Sequence, residues 1–186
     1  MQSNPWIVEP ELVSESNFQA KPERGEGYSS WNVMSPELEF CLWVGAIAET
    51  LETETPTVLE TGMGQGYVTR RVLAALPPAH IYYAYEPMKV YQDLVPADVP
   101  ILVIDGTPTG HMFKKADLVI LDSDMRYRRQ ELENWVEYGK PGSHMVIHDT
   151  YHSLTPQGEL TKFIRSLHLT GDYWDNPRGA FHSVHS

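Results

Sequence analysis

Sulfur crosslinks can be set aside first. The 186-residue chain has a single cysteine, Cys41, so it can form neither an internal disulfide nor a cysteine-based zinc cluster. That usage fits a reducing, cytoplasmic setting. Long apolar runs are missing too: no stretch approaches the ~18 apolar residues that a membrane span requires. The opening Met-Gln-Ser-Asn-Pro-Trp has neither the basic nor the apolar region of a secretory leader. Basic residues are scarce, 14 Lys and Arg against 25 Asp and Glu, for a net charge of −11. Nucleic-acid affinity rests largely on neutralising phosphates, so neither a nucleic acid nor a membrane is an expected partner. The acid excess is uneven. Residues 1–60 hold 11 acids and 2 bases, which is −9 of the −11. Internal repeats and low-complexity tracts are absent.

With 41% apolar and 21% charged residues, the composition is that of an ordinary globular domain, and the length is about right for one. Residues 1–33 are acidic and interrupted by Pro and Gly. They read as an irregular arm: either a loose terminus or a lid whose aromatics, Trp6, Phe18, Tyr28 and Trp31, cover a pocket. Residues 34–186 form the expected domain. Ser35-Pro36-Glu37 opens a helix with a capping residue, a proline at the first position and an early acid. Phe40, Val44, Ile47 and Leu51 then recur on one helical face.

Strands and helices alternate from residue 57. Strands are predicted at 57–60, 81–85, 101–104, 118–121 and 145–148. Helices are predicted at 67–76, 87–95 and 127–138, with a further one opened by Thr155-Pro156. The last 15 residues read as a hairpin of 171–174 and 180–185. This alternation is the signature of a parallel α/β sheet, and ligands of such sheets bind at the carboxyl ends of the strands.

The sharpest motif is Glu60-Thr-Gly62-Met-Gly64-Gln-Gly66-Tyr67, between a strand and a helix. Glycines there allow the backbone to approach a ligand closely. A dinucleotide fingerprint reads Gly-x-Gly-x-x-Gly. Here the third glycine comes one residue early, Tyr67 stands in its place, and Glu60 would repel a pyrophosphate. A nicotinamide oxidoreductase is therefore the weaker reading.

On these residues the sequence resembles the class I S-adenosylmethionine-dependent methyltransferases, whose first motif is an acid followed by x-Gly-x-Gly-x-Gly. The resemblance implies that Glu60, Gly62, Gly64, Gly66 and Tyr67 cradle the cofactor. It also implies that Glu86, 26 residues after Glu60, holds the ribose hydroxyls and that Asp105 in Val-Ile-Asp-Gly lies beside the adenine. A carboxylate accepting two hydroxyl protons suits a ribose diol. The fold implied is a Rossmann-like, seven-stranded mixed sheet with helices on both faces, its last hairpin supplying the antiparallel strand.

Amino-methyltransferases of nucleic acids carry an (Asn/Asp)-Pro-Pro-(Tyr/Phe) motif after the fourth strand. That position here reads Asp122-Ser-Asp-Met-Arg-Tyr127. The segment 117–151 instead looks like the metal-dependent O-methyltransferases of the catechol and macrolide-sugar types, with Pro141-Gly142 before the fifth strand and His148-Asp149 after it. The likeness extends over roughly residues 34–151. It implies methyl transfer to an oxygen of a small molecule, with Asp122, His148 and Asp149 holding Mg²⁺ or Mn²⁺ and Asp122 also bordering the cofactor. Such an ion would lower the pKa of a hydroxyl and orient it. Asp124, or less readily His152, is the candidate base. The catechol type has a lysine base three residues after the strand-four acid; Met125 is here. A non-catalytic or repurposed protein of the same fold therefore stays open, as does a homo-oligomer.

Three neighbouring cations, Arg126, Arg128 and Arg129, crowd the start of the 127–138 helix, where the dipole disfavours them. Pairing with the many acids is the expected compensation; recognition of an anionic substrate group is the alternative. His182 and His185 are expected to decorate an edge strand.

Overall fold

Strand β4 (Leu118–Leu121) is apolar at every position and buried at every position, as the centre of a two-sided sheet must be. Beside it lie β1 (Thr57–Thr61) and β5 (His144–His148), each buried beyond its first residue. β2 (Ile81–Tyr85) and β3 (Leu102–Ile104) extend the sheet on one side. β6 (Gly171–Trp174) and β7 (Ala180–Val184) extend it on the other. The computed structural model describes residues 38–64, 66–150, 157–174 and 179–186. The arm at 1–33, the Ser35-Pro36-Glu37 helix start, His152 and the Thr155-Pro156 cap lie outside the described residues.

The seven strands run in the order β3-β2-β1-β4-β5-β7-β6. β1 to β5 are mutually parallel, and β7 is antiparallel to both β5 and β6. The mixed sheet and its antiparallel hairpin thus match the expectation from sequence. One detail differs. β7 sits between β5 and β6, so His182 lies inside the sheet and not on an edge strand. Its ring stacks on that of His144 at 5.2 Å, across the β5–β7 pair. The closing strand must be the one that pairs with β5, and hairpin order alone does not say which strand that is.

Helices cover both faces. α1 (Leu38–Glu49) and α2 (Tyr67–Ala75) pack Phe40, Val44, Val68 and Val72 against Val58, Leu118 and Val146. α3 (Lys89–Gln92) is a single turn on that side, shorter than the predicted 87–95. On the opposite face, α4 (Gly110–Phe113), α5 (Met125–Tyr138) and α6 (Gln157–Ser166) bury Phe113, Leu132, Trp135, Leu160 and Ile164 against Leu59, Val119 and Ile147. α4 is unanticipated. One turn is too short to show helical periodicity, and it is anchored by the burial of Phe113 alone.

The parallel register aligns the strand ends that matter. Thr61 pairs with Tyr85 and Leu121, Tyr85 with Ile104, and Leu121 with Ile147. The residues that follow, Gly62, Glu86, Asp105, Asp122 and His148-Asp149, therefore share one edge of the sheet.

Candidate functional site

The glycine turn is built from left-handed backbone. Gly62, Gly64 and Gly66 have φ of 76°, 54° and 73°. Gly62 is a packing requirement, because a Cβ there would lie 2.3 Å from the Asp122 carbonyl oxygen. Gly64 is different: among the described residues a Cβ would meet nothing within 4 Å. No described side chain or backbone covers Gly64, the arrangement that lets a ligand approach a main chain. Gly66 stands at the N-cap of α2, and Tyr67 begins that helix.

Glu86 is buried just beyond β2. It accepts from the Gly64 amide at 2.8 Å and from the Met88 amide at 2.8 Å, one on each carboxylate oxygen. Each oxygen keeps a further lone pair. The acid thereby ties the glycine turn to the end of β2 and retains capacity for a diol. Asp105 is exposed after β3, whose Ile104 carbonyl accepts the Glu86 amide.

Glu60 does not sit on the ligand edge. It points into the sheet interior, 1% exposed, and its Oε2 accepts from the Thr69 hydroxyl at 2.6 Å and the Tyr82 hydroxyl at 2.8 Å. Burial pushes its carboxyl up to about 7, against the lowering effect of those two hydrogen bonds. Its part is to brace the turn from beneath, joining β1, β2 and α2. Strand alternation explains this. Glu60 is within β1 and must point to one face, whereas Glu86 lies past the end of β2.

Asp122, His148 and Asp149 converge as their sequence positions implied, with one ligand atom from each lying within 4.8 Å of the others. His148 Nδ1 is 3.2 Å from Asp122 Oδ1, and the imidazole stacks on Phe40 of α1 at 4.0 Å. Asp149 takes φ of 60°, a conformation aspartate tolerates better than most residues. The same cluster contains a cation that the sequence did not place there. Arg128, on the buried face of α5, donates Nη2 to Asp122 Oδ1 at 2.8 Å and Nη1 to Asp149 Oδ2 at 3.1 Å. It also donates Nε to the Ser123 carbonyl at 2.6 Å and Nη1 to the His148 carbonyl at 2.8 Å. Burial lowers its pKa, but Asp149 and Asp122 more than offset this and raise it. The expected pairing of the arginines with acids thus holds at Arg128. The three ligands gather, but with Arg128 between the carboxylates they do not fit a resident divalent ion as they stand.

Asp124, the expected base, has a structural task. It caps α5, accepting from the Arg126 amide at 3.0 Å, and it pairs with the Arg126 guanidinium. Those hydrogen bonds from Arg126 lower its pKa, which weakens it as a base. Arg129 lies over the Phe163 ring at 4.7 Å.

Glu131 is a site neighbour that sequence reasoning missed. It is buried and accepts from Thr61 at 3.0 Å and Ser123 at 2.7 Å, linking α5 to the ends of β1 and β4. The signal was available. Arg128, Glu131, Leu132 and Trp135 share one helical face, and two charges on a stripe that ends in Leu and Trp indicate an inward ionic network.

The strand order, the glycine turn and the acids at adjacent strand ends define a protein with the class I methyltransferase fold. Solved structures agree. An O-methyltransferase from Bacillus cereus in complex with SAH matches 92% of this chain and 86% of its own, with a TM-score of 0.68 and 12% identity. TomG from Streptomyces achromogenes, an O-methyltransferase of tomaymycin synthesis in complex with SAM, matches 82% of each chain with a TM-score of 0.66 and 13% identity. An O-methyltransferase family protein from Burkholderia thailandensis matches 79% of this chain and 56% of its own, with a TM-score of 0.55 and 14% identity. At such identities the fold is what is shared. No family model and no curated protein matches the sequence.

Proposed function

We propose that the chain is a methyltransferase that uses S-adenosylmethionine to methylate an oxygen of a small molecule. The observation that carries this reading is the turn at Gly64. Its backbone is open to a ligand, it is tied to a buried acid at the end of β2, and it adjoins Asp122 at the end of β4. Solved structures of the same fold hold SAM or SAH. In this reading Gly64 and Gly66 supply the close backbone approach, Glu86 accepts from the ribose hydroxyls, and Asp105 borders the base. When bound, the cofactor supplies an electrophilic methyl group on a sulfonium.

The acceptor side falls to Asp122. Arg128 and His148 both engage its Oδ1, which fixes the orientation of the carboxylate. Its Oδ2 has no bond among the described residues. We assign to Oδ2 the substrate hydroxyl, oriented by a hydrogen bond and losing its proton to this carboxylate as the oxygen is alkylated. Among the described residues no helix is long and apolar enough to cross a membrane. We place the protein in the cytoplasm, where a lone buried Cys41 is at no risk of mispairing.

Calorimetry tests the cofactor. The wild type should bind S-adenosylmethionine, and Glu86→Ala should bind it at least about tenfold more weakly, the size expected for a charge-assisted hydrogen bond. Binding of NAD with none of S-adenosylmethionine would reject the reading. Incorporation of a radiolabelled methyl group into small hydroxylic compounds, lost in Asp122→Asn, tests the transfer.

A further inference from the structure

We propose that Arg128 is the resident cation of this site and stands in place of a divalent metal ion. The inference rests on the reading of Asp122 as the acceptor-side carboxylate. Its grounds are geometric. An ion held by Asp122, His148 and Asp149 would have to share the two carboxylates with a cation already bound to one oxygen of each. The Arg128 guanidinium already bridges them, at 2.8 Å from Asp122 and 3.1 Å from Asp149. Its side chain is only 6% exposed, so it is part of the interior and not a surface arm that swung in.

Two further contacts show that the place is made for a guanidinium. The Ser123 and His148 carbonyls, at the ends of β4 and β5, both accept from it. A planar fork with several diverging N–H groups can serve four acceptors on two strands at once; a lysine or a hydrated ion cannot match that pattern. Admitting a metal would displace the fork and leave both carbonyls and a buried positive charge without their partners, a costly exchange. Were Arg128 to stay, a divalent ion would face it at short range across a poorly screened interior.

The consequence for the chemistry is specific. A metal offers open coordination positions to two substrate oxygens at once, whereas this guanidinium spends its donors on the protein. Arg128 is therefore a positioning residue. It orients Asp122, and the substrate hydroxyl is gripped by Asp122 without chelation. Substrates with one methylated hydroxyl and no neighbouring oxygen should be accepted as readily as vicinal diols.

The test uses Mn²⁺ as the probe, read by the loss of its free electron paramagnetic resonance signal and by melting temperature. The wild type should take up no Mn²⁺ at about 1 mM, the range in which sites with few protein ligands still bind. Arg128→Ala leaves two carboxylates facing each other and should melt lower. It should bind Mn²⁺ at least about tenfold more tightly than the wild type, with its melting temperature restored by the ion. Adding Asp122→Asn to that variant should abolish both effects. Stoichiometric Mn²⁺ on the wild type, or equal binding by wild type and Arg128→Ala, would overturn the proposal. If Arg128→Ala does not fold, the wild-type titration alone still decides, together with an anomalous difference map from a Mn²⁺-soaked crystal. S-adenosylmethionine binding measured on the same preparations separates the two readings. Its absence would sink the proposed function, while the Mn²⁺ comparison would still report on Arg128.

Discussion

Gly62 and Gly64 are two residues apart, share a left-handed backbone, and face opposite demands. A methyl group at Gly62 would collide with the Asp122 carbonyl oxygen at 2.3 Å and the Ser123 Cα at 2.7 Å. Both are backbone atoms of the adjoining strand end and cannot swing away. Gly62→Ala is expected to cost about 3 kcal/mol, the sum of the left-handed penalty and overpacking. At Gly64 a Cβ meets none of the described residues, so Gly64→Ala should cost only the conformational penalty of about 1 kcal/mol. On the proposed function, cofactor binding should feel it more, because the added methyl projects where the backbone would be approached. Urea denaturation and cofactor calorimetry on the pair check this. Comparable stability losses at both positions would show that the turn is not divided in this way.

At the scale of elements, α5 links the site to the rest of the fold. Its inward face carries Arg128 to the Asp122–Asp149 pair and Glu131 to the hydroxyls of Thr61 and Ser123. Farther along, Trp135 donates to the Ser143 hydroxyl at 3.2 Å, at the start of β5. The placement of Arg128 therefore depends on how the first turn of α5 is set, and Asp124 sets it. Asp124→Ala removes the cap and the Arg126 pair together. Because the group is half exposed, the expected loss is at the low end of the capping range, about 0.5–1 kcal/mol. On the proposed function, methyl transfer should survive in this variant, since Asp124 is engaged as the cap of α5 and Asp122 faces the substrate. A loss of transfer with cofactor binding intact would return Asp124 to the role its sequence position suggested.

Buried titratable groups on the two sides of the sheet centre give the whole molecule opposing pH dependences. Burial raises Glu60 to about 7 and also raises Glu131. From its ordinary value of 4.5 up to about 7, the folded chain keeps a proton on Glu60 that the unfolded chain has released, so stability falls as pH rises through that window. For a shift of that size the loss is about 3 kcal/mol at most. Burial lowers His144 and His182, so the fold takes up protons on them at lower pH than the unfolded chain does. Stability therefore also falls as pH drops below the ordinary histidine value of 6.5. Denaturation midpoints across this range should pass through a maximum. Glu60→Gln retains an acceptor for Tyr82 and Thr69 and should flatten the decline on the high-pH side. An unchanged decline would mean that Glu60 is already ionised in the fold.

Periodicity and spacing sufficed for the strands, most of the helices, the hairpin and the glycine turn, because apolar patterning and the demand for left-handed glycine are local. The convergence of Asp122, His148 and Asp149 was legible for a related reason: in a parallel sheet, residues just past each strand share one edge. Three things were decided only by tertiary structure. Glu60 bonds inward to Thr69 and Tyr82, because the pleat and not the motif orients a residue inside a strand. His182 lies within the sheet, because β7 and not β6 adds to β5. Arg128 enters the acid cluster, because which charge is drawn into the interior depends on the helix's docked rotation and on acceptors from two strands that no linear pattern brings together.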